Sequence, residues 1–213
     1  DEYYQIAKTF AETGVKVLDF ETFADLDGIL PAIKKIRAEY DMFIVVSFSV
    51  NQFGYSAAGL SAKRLLADAA AVPEIDAGGL NCGVGPAHMR QILEKAGRPG
   101  DKFLLAIPNA GYPTLTRNKL QFGNTPAYFA EKMKELQALG ADILGGCCGT
   151  TPEFIGELSS WDGILNKIVL DTETDNGEQT GHVQRHGFLY DENGERKQKK
   201  LIAVELAPPF DAD

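Results

Sequence analysis

The chain is poor in cysteine, tryptophan and positive charge, and it has no long apolar run. Its 213 residues include 3 cysteines and 1 tryptophan, with 21 Lys and Arg against 30 Asp and Glu, a net charge of −9. Three unevenly spaced thiols cannot form the disulfide framework of a small secreted domain, so a reducing, cytoplasmic setting is expected. The deficit of bases excludes the basic face that a phosphate-backbone binder needs, and nucleic acid is not an expected partner. No apolar stretch approaches the ~20 residues of a membrane helix. The opening DEYYQIAKTF is acidic and amphipathic, unlike a secretory signal. No membrane partner is therefore expected either. At 44% hydrophobic and 24% charged, the composition is globular.

What is present is a regular alternation. Residues 2–13 carry a helical stripe (Tyr4, Ile6, Ala7, Phe10) that Gly14 ends. VKVLDF (15–20) reads as a buried strand, residues 25–40 as a helix, and MFIVVSF (42–48) as a second strand. A helix over about 61–71 leads to IDAGGLNC (75–82), and Pro86 opens a helix to about 96, a favoured place for proline. KFLLAIPN (102–109) is the fourth strand. Thr125-Pro126 caps and opens a helix to about Leu139, ADILGG (141–146) is the fifth strand, and Thr151-Pro152 opens a last helix. Apolar strands alternating with helices predict an α/β protein with a parallel sheet, either doubly wound or part of a (β/α) barrel. No G-x-G-x-x-G follows the first strand, which disfavours the dinucleotide fold.

The cysteines sit at strand ends. Cys82 closes GGLNC and the vicinal pair Cys147-Cys148 closes LGGCC, two β/α units later. In a parallel α/β fold these ends share one rim, the rim where active sites form. Neighbouring residues in a strand point to opposite faces. Cys147 and Cys148 can therefore meet one ion only where the strand has ended and the flanking glycines let the chain turn. Three thiolates suit zinc and leave a fourth position open, the pattern of a catalytic site. A substrate thiol held there stays nucleophilic. A buried cysteine by itself is more often a small hydrophobe, but two glycine-rich strand ends on one rim favour the metal.

The strings GLNCGVGP, PNAGYP and GGCCGTTPEFI, preceded by DFETF, resemble the zinc-dependent homocysteine S-methyltransferase family along residues 1–160. The resemblance implies a (β/α)8 TIM barrel, zinc held by Cys82, Cys147 and Cys148, and homocysteine as the methyl acceptor. It implies that Glu21 of DFETF holds the homocysteine ammonium group; a solvated carboxylate is the plainer reading of that residue. Asn109 in the IPNAGYP loop is read as facing the substrate, and Asn81 as orienting the site, with a simple turn role weighed equally for each. Tyr112 is read as an exposed loop aromatic. Only five of the family's eight strands are recognisable, and they match strands four to eight. The chain is thus expected to be a partial barrel, the remainder of a parent chain supplying the rest. Such a fragment is expected to be inactive alone, with open edges at VKVLDF and ADILGG. The alternative is a non-catalytic barrel fragment with a structural zinc site.

Composition shifts after about Leu170. Residues 171–199 are polar and read as a linker with a turn at DENG, and residues 171–213 hold ten acids against five bases. KLIAVELAPPFDAD (200–213) resembles the opening strand of methylenetetrahydrofolate reductases, with Glu205 matching their acidic active-site residue. That arrangement implies 5-methyltetrahydrofolate as methyl donor and FAD in the rest of the second domain. The boundaries read as 1–170, 171–199 and 200–213. His182 and His186 have metal-like spacing but lie among glycines in the polar tail and are not expected to bind metal.

Overall fold

The computed structural model describes residues 2–116, 119–159 and 201–204. The elements are α1 (Glu2–Glu12), β1 (Val17–Phe23), α2 (Leu30–Glu39), β2 (Phe43–Phe48), α3 (Ala62–Ala70), β3 (Ala77–Asn81), α4 (Pro86–Ala96), β4 (Phe103–Ile107), β5 (Pro113–Thr116), β6 (Lys119–Phe122), α5 (Pro126–Ala138), β7 (Ile143–Gly146), α6 (Pro152–Ser159) and β8 (Leu201–Val204). Local chemistry sets several of the helix starts. The Ser61 hydroxyl accepts from the Arg64 N–H, and the Thr125 hydroxyl from the Tyr128 N–H, each satisfying a donor that a first turn leaves unpaired. Pro86 and Pro126 take the first helical position, where no N–H is needed.

The main sheet runs β1-β2-β3-β4-β7-β8 and every pairing in it is parallel. Strands follow one another without the reversal of order that marks a doubly wound sheet. Right-handed crossovers in one direction then put every helix on the same face, and α1 meets α2, α3 meets α4, α4 meets α5, and α5 meets α6. This sequential winding argues against the doubly wound arrangement.

The sheet carries a core on each face. Leu18, Phe20, Ile44, Val46, Phe48, Leu80, Leu104 and Leu144 pack with the helices, joined by Ile33, Leu65, Met89 and Phe129. The alternate residues Phe43, Val45, Ala77, Phe103, Leu105, Ile107 and Ile143 form a second cluster on the opposite face, and it ends at Cys147 and Cys82. Burial on both faces explains why β2, β3, β4 and β7 read as unbroken apolar runs. β1, expected to be a buried strand at VKVLDF, buries Leu18 and Phe20 and exposes Val17 and Asp19, because it lies at the end of the strand order with β2 on one side.

Three further features differ from the expectations. The helix expected from 25 begins at Leu30, because residues 26–29 form turns, with Ile29 N–H bonding the Leu26 carbonyl at 3.1 Å, and Pro31 then sits in the first turn. An antiparallel hairpin, β5–β6, lies between β4 and α5; its Thr-Leu-Thr and Lys-Leu-Gln-Phe segments are too short to stand out from a loop. The open edge expected at ADILGG is covered, since β8 pairs with β7 from Ile143↔Leu201 to Gly146↔Val204. Parallel pairing of an apolar four-residue run satisfies backbone groups that an edge would leave open. Among the described residues no helix is long and apolar enough to cross a membrane. His182, His186, Glu205 and the linker 171–199 lie outside the described residues.

Candidate metal centre

The C-terminal ends of β1, β3, β4 and β7 meet on one rim. β3 ends at Asn81, and Cys82 adopts a left-handed backbone, φ 55°. Its N–H bonds the Ile107 carbonyl at 3.0 Å. Gly83 follows at φ 70°, and a Cβ there would lie 2.2 Å from the Val50 carbonyl oxygen, so only glycine fits. β7 ends at Gly146, before the cysteine pair, which frees Cys147 and Cys148 from strand alternation. Thr150 closes their turn with its N–H and hydroxyl on the Cys147 carbonyl, at 3.1 and 2.6 Å. Gly149 has φ 80°, and a Cβ there would run into the Phe122 ring of the β5–β6 hairpin at 2.2 Å.

The segment after β4 ties both loops together through its backbone. The Pro108 carbonyl accepts from Cys147 N–H at 2.9 Å, Ala110 N–H donates to the Cys148 carbonyl at 2.9 Å, and Asn109 N–H donates to the Val84 carbonyl at 3.0 Å. The three sulfurs converge as a result. Cys82 Sγ is 3.7 Å from Cys148 Sγ, Cys147 Sγ is 3.9 Å from Cys148 Sγ, and all three lie within 4.8 Å of one another. Zinc at a Zn–S distance of about 2.3 Å in a tetrahedron has sulfur–sulfur edges of about 3.8 Å, so the donor set fits that ion. Cys147 is buried, Cys82 half-buried and Cys148 exposed, which leaves the cluster open on one side. Among the described residues no further His, Cys, Asp or Glu joins the group.

Electrostatics favour thiolate. The Cys82 thiol is pulled down to about 5, chiefly by a hydrogen bond from Cys147; the Gly83 N–H, Cys148 and the Asn109 side chain lower it further, and burial opposes them. Asn109 is 6% exposed, and its Oδ1 has no hydrogen-bond partner. A buried carbonyl oxygen left in that state costs about 1–3 kcal/mol and marks a place where an external donor is wanted.

Glu21 and Asn81 belong to a second feature of this rim. The β1–β2 register passes from Phe20↔Val46 to Phe23↔Phe48, so β1 carries one extra residue at Glu21-Thr22, a bulge. Glu21 is exposed there, and Thr22 has φ 66°, an outlier for a β-branched residue. The Asn81 side chain is fully buried. Its Oδ1 accepts from Thr22 N–H at 3.0 Å and its Nδ2 donates to Thr22 Oγ1 at 2.6 Å. Tyr112 is 40% exposed and packs edge-on against His88, with ring centroids 5.3 Å apart. Thr22 and the 107–110 backbone escape the sequence reading. PNAG is visible as a string, but backbone bonds leave no residue signature, and a threonine beside Glu21 looks like ordinary strand chemistry.

A singly wound α/β sheet with three thiols gathered at its carboxyl rim is the class of protein that fold and site define together. The family model for homocysteine S-methyltransferase matches residues 1–161, and the chain belongs to that family. A methionine synthase of Mycobacterium leprae is 30% identical over 166 residues, 75% of this chain and 14% of the relative. Two structures of the Escherichia coli homocysteine methyltransferase MmuM share its fold. The apo form has a TM-score of 0.57 at 21% identity, covering 74% of this chain and 55% of that one. The metallated form has a TM-score of 0.57 at 22% identity, covering 74% and 50%. The chain thus spans about half of those solved structures and a seventh of the methionine synthase.

Proposed function

We propose that Cys82, Cys147 and Cys148 hold one zinc ion and that the site methylates homocysteine to methionine. The observation that carries this reading is the spacing of the three sulfurs, 3.7 and 3.9 Å, with no fourth ligand among the described residues. Zinc bound there supplies a Lewis-acidic centre that keeps a substrate thiol deprotonated and nucleophilic near neutral pH. The chain's own residues do the rest. The 107–110 backbone holds both cysteine loops in place, Glu21 takes the ammonium group, and the unpaired Asn109 Oδ1 accepts a hydrogen bond from the substrate. The homocysteine sulfur, its proton already lost, bonds the donor's methyl carbon as the donor's bond to that carbon breaks; the demethylated donor leaves with the bonding electron pair and takes up a proton.

The finer assignments rest on resemblance. Strands β1, β2, β3, β4 and β7 correspond to strands four to eight of a (β/α)8 barrel, supported by their sequential winding. Residues 1–170 form the methyltransferase unit, 171–199 a linker and 200–213 the start of a reductase-like unit whose cofactor is FAD, although β8 of that segment adds to the edge of the methyltransferase sheet in this structure. That pairing supports 5-methyltetrahydrofolate as donor. Three free thiols support a reducing cytoplasm.

X-ray absorption on the zinc-loaded full chain tests the reading. Three sulfurs at about 2.3 Å, rising to four with homocysteine, are expected. Four protein ligands before homocysteine, unchanged after it, would establish a structural zinc site instead.

A further inference from the structure

Asn81 does more than precede a cysteine. β1 and β3 are not neighbours, because β2 lies between them. Even so, the Asn81 carboxamide reaches from the end of β3 to Thr22 in the bulge of β1 and makes both of its hydrogen bonds there. One end of this bridge is strained, and so is the residue that follows the other end. Thr22 and Cys82 are the two non-glycine residues with positive φ, 66° and 55°, among the described residues. Left-handed backbone at a β-branched residue costs about 1–3 kcal/mol and persists where the surroundings hold it. What holds Thr22 is a fully buried amide whose other peptide neighbour is Cys82. Strain, a bulge and a long-range bridge therefore coincide between one carboxylate, Glu21, and one thiol, Cys82.

We infer that Asn81 is a positioning residue that sets the distance between the carboxylate of Glu21 and the cysteine cluster, and so selects thiols that carry an amino group. This rests on the reading of the site as one for an amino-acid thiol. Glu21 and Cys82 each sit one residue from the bridge, so the two groups move together or not at all. A bridge of two hydrogen bonds directed at one residue fixes both separation and orientation, which a single bond does not. Side chains at a bulge are re-aimed relative to the strand, and Thr22 is where that aim is locked.

The test uses the full chain loaded with one equivalent of cobalt(II), whose visible bands report thiol binding. Two ligands are titrated: homocysteine, and 4-mercaptobutanoate, which has the same thiol and carboxylate and no amino group. The unmodified chain is expected to prefer homocysteine. Asn81→Ala is expected to keep one metal per chain, to bind 4-mercaptobutanoate unchanged, and to lose roughly tenfold of that preference, the scale of one charged hydrogen bond. Thr22→Val is isosteric and serves if Asn81→Ala does not fold. It should shift the ratio in the same direction, and Thr22→Ser, which keeps the hydroxyl, should restore it. A preference that survives both Asn81→Ala and Thr22→Val overturns the inference alone. Equal loss of both thiols together with the metal also overturns it, since Asn81 then only supports the cysteine loop. No preference in the unmodified chain overturns the amino-acid reading and the inference with it.

Discussion

The two rims of the sheet are built on opposite principles. At the amino-terminal rim, two buried aspartates are each held by an arginine and a strand N–H. Asp76, just before β3, accepts from Ile44 N–H at 2.8 Å and from the Arg37 guanidinium, which also donates to the Met42 and Glu74 carbonyls. Asp142, before β7, repeats the device. It accepts from Leu104 N–H at 2.9 Å and from Arg98, which also bonds the Gly140 carbonyl. At the carboxyl rim the balance is reversed. Two residues carry left-handed strain, three thiols crowd together and a buried carbonyl oxygen has no partner. One rim uses two aspartate–arginine pairs to hold strands in register; the other gathers three thiols beside an unpaired carbonyl oxygen. In β/α architectures reactive groups belong to the carboxyl rim and stabilising ones to the amino rim.

Substitutions at each rim should therefore fail in different ways. The largest effect is expected from Cys147→Ala, which should remove most of the metal and, with it, methyl transfer. The stability of the metal-free chain should change by no more than about 1 kcal/mol, the order of one small buried group. Stoichiometric zinc in the purified variant, measured by elemental analysis, would sink the ligand assignment. Asp76→Ala should do the converse. Removing one partner of a buried pair leaves Arg37 and the Ile44 N–H uncompensated, at a cost of about 3–5 kcal/mol in denaturant unfolding. The folded fraction should still bind one zinc. Loss of metal at unchanged stability would erase the contrast between the rims.

Glu21→Gln should weaken homocysteine binding by about 1.5–3 kcal/mol, the scale of a charged hydrogen bond, and leave zinc in place. Calorimetric titration showing unchanged homocysteine affinity would end the ammonium role. The smallest effect is expected at Asp68→Asn on the exposed face of α3. Its partner Arg64 is 68% exposed at the side chain, and pairs of that kind contribute little. Melting temperature and metal content should both match the parent. A clear drop in either would mean that this helix face is covered in the working protein.

Much of this was legible in advance. The five strands and their helices follow from apolar runs, caps and prolines, and their boundaries lie within a few residues of expectation except at α2. There a turn over residues 26–29 uses Leu26 and Ile29 at helical spacing without being helical. The vicinal cysteines stood out because glycines on both sides permit the sharp turn that two adjacent side chains need to face one point. The β5–β6 hairpin was not, since two four-residue segments carry too little alternation to be told from a loop. β8 was readable as a strand but not as a neighbour of β7, because pairing partners in a parallel sheet are chosen by the space left beside an edge.

Residue chemistry alone determined that three thiols lie at strand ends beside a turn, because glycine, proline and apolar runs act locally. Only the tertiary structure decided that the sulfurs stand at 3.7 and 3.9 Å, that Asn109 keeps an unpaired oxygen, and that Asn81 reaches past β2 to Thr22. Those depend on strand order, register and one bulge. These are properties of how distant segments share space, and no local propensity encodes them.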